Sequence, residues 1–110
     1  MKIYVKNNST ANLQKVNVVR EFFKFCQNNS PLKSSINFVF VDKSSETYFD
    51  GKYLIPLKTS KLNENLNLVS QMWINEFSKQ RGIPCGYVES QLLVNYFIKN
   101  NPSVNNILNS

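Results

Sequence analysis

Thr47-Tyr48-Phe49-Asp50-Gly51-Lys52-Tyr53-Leu54-Ile55-Pro56 is the segment from which the architecture can be built outward. Asp-Gly between two short β-prone runs is a strong hairpin signal, because both central positions of a two-residue turn take positive φ and Asp and Gly accept it. Pro56 has no N–H to give a ladder, which places the second hairpin strand at or near a sheet edge. Lys52 and Lys58 suit such an edge, since charge discourages unwanted strand pairing. Upstream, Ile36-Asn37-Phe38-Val39-Phe40-Val41 is β-branched and aromatic and reads as a buried strand, and the polar residues 42–46 form a turn between it and the hairpin.

Helices flank this core. Over residues 11–27, Leu13, Val16, Val19, Phe22, Phe23 and Cys26 recur at helical spacing, with Val18 and Phe25 widening the apolar face. Lys15, Arg20, Glu21 and Lys24 fall on the polar side, Ser9 and Thr10 offer an N-cap, and Asn28-Asn29-Ser30-Pro31 ends the run. Residues 2–5 form a short strand or an ordered lead-in. After a polar connector over 59–65, Leu66, Val69, Met72, Trp73, Ile74 and Phe77 build a second helix that stops at Gly82. Residues 87–99 form a last helix, with Val88, Leu92 and Tyr96 and the pair Leu93 and Phe97 at i,i+4 spacing. The order is α, β, β-hairpin, α, α. It predicts one α+β domain over 1–110, with an N-terminal helix, a small antiparallel sheet, two C-terminal helices and a flexible tail over 103–110 that frays or docks as one turn.

The composition excludes more than it assigns. The 110 residues contain no histidine, which removes the commonest general base, the Ser/His and Cys/His nucleophile systems and any zinc site that needs imidazole. Cys26 and Cys85 have no CxxC partner and are read as free thiols. Only Lys79 or Arg81 stands close enough in sequence to activate Cys85. No apolar run approaches the roughly 18 residues of a membrane span. Met1-Lys2-Ile3-Tyr4-Val5-Lys6 has no signal-peptide apolar region, so an intracellular setting is expected. The net charge of +6 permits contact with nucleic acid, but the cations are scattered and only two are arginines. Asparagine is abundant and interleaved with apolar residues, which fits an AT-rich coding genome better than a prion-like tract.

The order helix, strand, Asp-Gly hairpin, helix, helix, with Trp73-Ile74-Asn75-Glu76-Phe77-Ser78-Lys79-Gln80 on the helix after the hairpin, resembles the minimal zincin metallopeptidase-like domains. In that family an edge strand lines the substrate cleft. The following helix carries H-E-x-x-H, whose two histidines hold zinc while the glutamate activates water. A further helix supplies a third, acidic ligand. Here Asn75 and Lys79 stand at the two histidine positions, Glu76 keeps the general-base position, and Glu89 (or Gln91) stands where the third ligand would be.

The resemblance therefore implies a catalytically dead member. An amide is a poor zinc ligand and an ammonium repels the ion, so no metal, no cofactor and no enzymatic activity are expected. Read without the resemblance, Asn75 and Lys79 are an ordinary polar helix face, and Glu76 with Lys79 is a weak exposed ion pair. Tyr48, Phe49, Tyr53 and Tyr87, which helix or strand spacing does not assign to the core, are the candidates for contact with a partner protein along the hairpin edge. The expected role is a non-catalytic structural or protein-interaction component. Size, asparagine content and the degenerate motif fit a component of a virus or phage particle, in which case the protein sits in the virion. The alternative is a small basic accessory protein that associates with nucleic acid.

Overall fold

In a computed structural model, which describes residues 3–108, the chain is an α+β domain with a four-stranded sheet. In chain order the elements are β1 (Ile3–Asn8), α1 (Leu13–Asn29), β2 (Ile36–Val41), β3 (Tyr48–Phe49), β4 (Lys52–Pro56), α2 (Leu62–Arg81), α3 (Tyr87–Asn100) and a short 3₁₀ turn (Pro102–Asn106). The sheet order is β1-β2-β4-β3. Lys2, the first residue of the expected N-terminal strand, and Asn109 and Ser110 of the tail lie outside the described residues.

The sheet is mixed, which corrects the expected antiparallel arrangement. β1 and β4 both run parallel to β2, and only β3 is antiparallel to its neighbour. Two features produce this. Residues 3–8 form a full strand, so β1, α1 and β2 make a βαβ unit with α1 as the crossover. After β2, residues 42–47 carry the chain past the place β4 will take, and β3 returns along the outside of it. The more apolar β4 thereby lies beside β2, one strand in from the edge. At the Asp50-Gly51 turn both residues have positive φ, 51° and 74°, and Tyr48 faces Tyr53 while Phe49 faces Lys52.

α1 and α2 cover one face of the sheet. Phe23 of α1 packs on Phe38 and Phe40, with ring centroids 4.5 and 6.1 Å apart, and Trp73 of α2 stacks parallel to Phe38 at 6.2 Å. Burying aromatic side chains of this size dominates the core energetics. Trp73 is fully buried and its Nε1–H donates to the Ser30 carbonyl at 2.7 Å, which ties the end of α1 to α2. α3 packs on the two helices rather than on the sheet, through Phe97 against Phe22 and Phe25.

The structure departs from the pattern-based reading at four further places, the first being the start of α2 at Leu62, inside the expected connector over 59–65. α1 begins at Leu13 because the Asn12 side chain caps it, accepting from the Lys15 N–H at 2.8 Å. Thr10 instead donates through its N–H and its hydroxyl to Asp42 beyond β2. Lys15, expected on the polar side, is buried: its aliphatic stem follows the core and its ammonium donates to the Ser60 carbonyl. Of the two readings of the tail, the described residues take the docked one: Val104 is buried, Ile107 and Leu108 pack against the core, and the Leu108 carbonyl accepts from the Asn63 N–H. Its apolar residues outweigh the Asn and Ser between them.

Candidate functional site

The rotation of α2 about its axis is fixed by Met72, Trp73 and Ile74, which enter the core. Asn75 and Lys79 are thereby directed outward and exposed, while Glu76, one turn on from Trp73, is half-buried on the flank that borders the sheet. The Glu76 carboxylate accepts a hydrogen bond from the Tyr53 hydroxyl at 2.5 Å. Tyr53 belongs to the helix-facing side of β4, with its ring 5.6 Å from Phe38 and edge-on to Tyr48 at 5.1 Å. A tyrosine of the hairpin and the glutamate of the helix after it thus form one connected group. Burial, with the adjacent Glu76 carboxylate adding to it, pushes the Tyr53 phenol above its ordinary range, so it stays a protonated donor near neutral pH.

The expected ion pair between Glu76 and Lys79 does not form. A half-buried carboxylate gains more from a fixed hydroxyl donor than from a mobile, solvated ammonium. The ion pair among the described residues is Glu21–Lys24 on α1, at 3.2 Å and well exposed.

Glu89 is also committed, but elsewhere. It lies in the first turn of α3, where its Oε2 accepts from the Gly86 N–H at 2.7 Å. That backbone bond, with a second from its own N–H, holds the carboxyl below the usual range. Glu89 is therefore a helix-capping residue. Gln91 faces Asn67 across the α2–α3 contact.

The four candidate contact residues separate into three places. Tyr48 and Tyr53 share the helix-facing side of the hairpin with Glu76. Phe49, one residue on from Tyr48, projects to the opposite side of the sheet because strand side chains alternate. Tyr87, at the start of α3, borders an open depression of about 310 Å³ with Gln71, Asn75 and Cys85. Tyr87 therefore associates with Asn75 rather than with the hairpin tyrosines. The link between Tyr53 and Glu76 had a signal in the sequence: alternation puts Tyr53 on the same side as the buried Ile55, toward the helices. The burial of Lys15 had a signal as well: it stands one turn before Val18 and Val19, in line with Phe22 and Cys26, although its charge suggests the polar side.

Residues at these positions do not fit a zinc ion. Asn75 offers only an amide oxygen, Lys79 a cation, and the Glu76 and Glu89 carboxylates are bound to Tyr53 and Gly86. Among the described residues no three of His, Cys, Asp and Glu come together as a metal-binding group. Cys26 is buried, and burial pushes its thiol well above the ordinary range, while Cys85 is half-buried beside the Asn75 depression. No helix of the described residues is long and apolar enough to cross a membrane. Comparison with protein-family models, with curated proteins and with solved structures gave no match.

Proposed function

We propose that the chain is a non-catalytic structural or protein-interaction component built on an inactivated zincin-like scaffold. The observation that carries this reading is the hydrogen bond from Tyr53 to Glu76. The one motif residue that matches H-E-x-x-H in kind is held by a tyrosine of the hairpin, and its flanking positions are an amide and an ammonium. The group joins strand to helix where a hydrolase would keep an open carboxylate and a bound water.

In this reading the helix-facing side of the hairpin and the Asn75–Tyr87 depression form the contact surface for a partner protein. Tyr48 and Tyr87 are 56% and 71% exposed, and large exposed aromatics are the residues that anchor protein contacts. A virus or phage particle is the setting that the small size and asparagine-rich composition suit. The test is site-specific photo-crosslinking in the native assembly, with the crosslinker placed in turn at Tyr48, Tyr87 and Lys24. The proposal expects a single crosslinked species from Tyr48 and Tyr87 and none from Lys24. Equal labelling from all three positions, or none from the two tyrosines, contradicts it.

A further inference from the structure

The side of the sheet turned away from α1 and α2 has a composition of its own. Phe38 and Phe40 face the helices, so strand alternation turns Asn37 and Val39 to the other side. The strand register then sets Tyr4 beside Asn37, Lys6 beside Val39, Leu54 beyond Val39, and Phe49 beside Lys52. No described helix packs on this side. Tyr4 is 51% and Phe49 63% exposed, and Lys6, Asn37 and Lys52 are exposed with them. The four strands contain these two lysines and no carboxylate. A shallow depression of about 420 Å³ lies among Tyr4, Lys6, Asn37, Val39 and Lys52.

We propose that this open sheet face binds single-stranded nucleic acid, with bases stacked on Tyr4 and Phe49 and phosphates paired with Lys6 and Lys52. Exposed aromatic rings on a flat sheet accept any base, because every base has a π face, and neighbouring ammonium groups neutralise the backbone. Asn37, between the two lysines, has both a donor and an acceptor to offer a base edge. Tyr4 and Phe49 lie on the two edge strands, three strand spacings or about 14 Å apart, so a strand crossing the sheet meets one ring at each side. A duplex keeps its bases stacked on each other and leaves these rings without a partner. The contact cores of protein partners are depleted in lysine, whereas this face has Lys6 and Lys52 on the strands either side of Asn37 and the buried Val39. The net charge of +6 favours encounter with a polyanion.

The experiment is fluorescence anisotropy of the full chain with labelled oligo-deoxythymidine and oligo-uridine, against a duplex of the same length, across a series of salt concentrations. The expected result is binding to the single strands that weakens as salt rises, and weaker binding to the duplex. Tyr4→Ala and Phe49→Ala each lower single-strand affinity by about five- to a hundredfold while leaving the thermal midpoint near that of the parent. Lys6→Gln with Lys52→Gln lowers the log–log salt slope by about 1.4, whereas Lys24→Gln with Lys99→Gln, an equal charge change on the helices, leaves it nearly unchanged. Absence of binding, equal binding to duplex, or equal loss from the helix lysines overturns the proposal. So does a Tyr4→Ala variant that binds oligonucleotide normally but loses self-association or a protein partner, which assigns the face to protein contact.

Discussion

At the scale of single residues, the hydrogen bond from the Tyr53 hydroxyl to the Glu76 carboxylate joins strand to helix, and its contribution to stability can be measured. Glu76→Gln keeps an oxygen to accept from Tyr53, so the variant is expected to unfold within about 0.5 kcal/mol of the parent in urea denaturation. Tyr53→Phe removes the donor and leaves a half-buried carboxylate without it, an expected loss of about 1 kcal/mol in the same measurement. Asp42 and Glu89 are two carboxyls whose hydrogen bonds bear on stability in acid. Asp42 is held below its ordinary value first by the Thr10 N–H and then by the Thr10 hydroxyl, and Glu89 by the Gly86 N–H. A carboxyl whose folded pKa is depressed contributes stability above its unfolded value and loses that contribution as pH falls through the folded one. Thermal midpoints should therefore decline as pH drops below the ordinary values of 4.5 and 3.8. The decline should be shallower in a variant carrying Asp42→Asn and Glu89→Gln.

At the scale of elements, the ends of helices and the tail are where stability can be tested. Gly82 closes α2 in the left-handed region at φ 65°, its N–H bonded to the Ser78 carbonyl. Gly82→Ala meets no steric obstacle but must adopt that backbone, an expected cost of about 1 kcal/mol by chemical denaturation. Removing residues 102–110 exposes the pocket that Val104 fills, an expected cost of about 2 kcal/mol. The three helices, β2 and the α+β class were legible in the sequence, because Val16, Val19, Phe22, Phe23 and Cys26, or Leu66, Val69 and Trp73, repeat with a period that only a helix satisfies. Strand direction was not. It depends on where residues 42–47 lead the chain, and a polar loop carries no periodic signal. The apolar spacing on α3 was legible as a helix but not as a facing: Leu93 and Phe97 enter the core, while Val88, Leu92 and Tyr96 are 65%, 46% and 53% exposed. Of the candidate site, the motif positions and the helix-facing side of Tyr53 were legible, but the bonds themselves were not, since Tyr53 and Gly86 reach Glu76 and Glu89 only once the chain has folded.

At the scale of the whole molecule, one sheet separates two surfaces of different chemistry. On the helix side, aromatic packing through Phe23, Phe38 and Trp73 joins sheet to helices, and the Tyr53–Glu76 group lies at the margin of that core. On the other side, tyrosine, phenylalanine and lysine stand exposed on β1, β3 and β4. The proposed role is one of contact, and its sharpest contrast is with a metal-dependent hydrolase. Calorimetric titration of the full chain with Zn²⁺, run beside a peptidase assay on the same zinc-treated sample, separates the two. The account predicts no stoichiometric uptake and no turnover. One zinc ion per chain, with turnover that a chelator stops and Glu76→Gln abolishes, would contradict it.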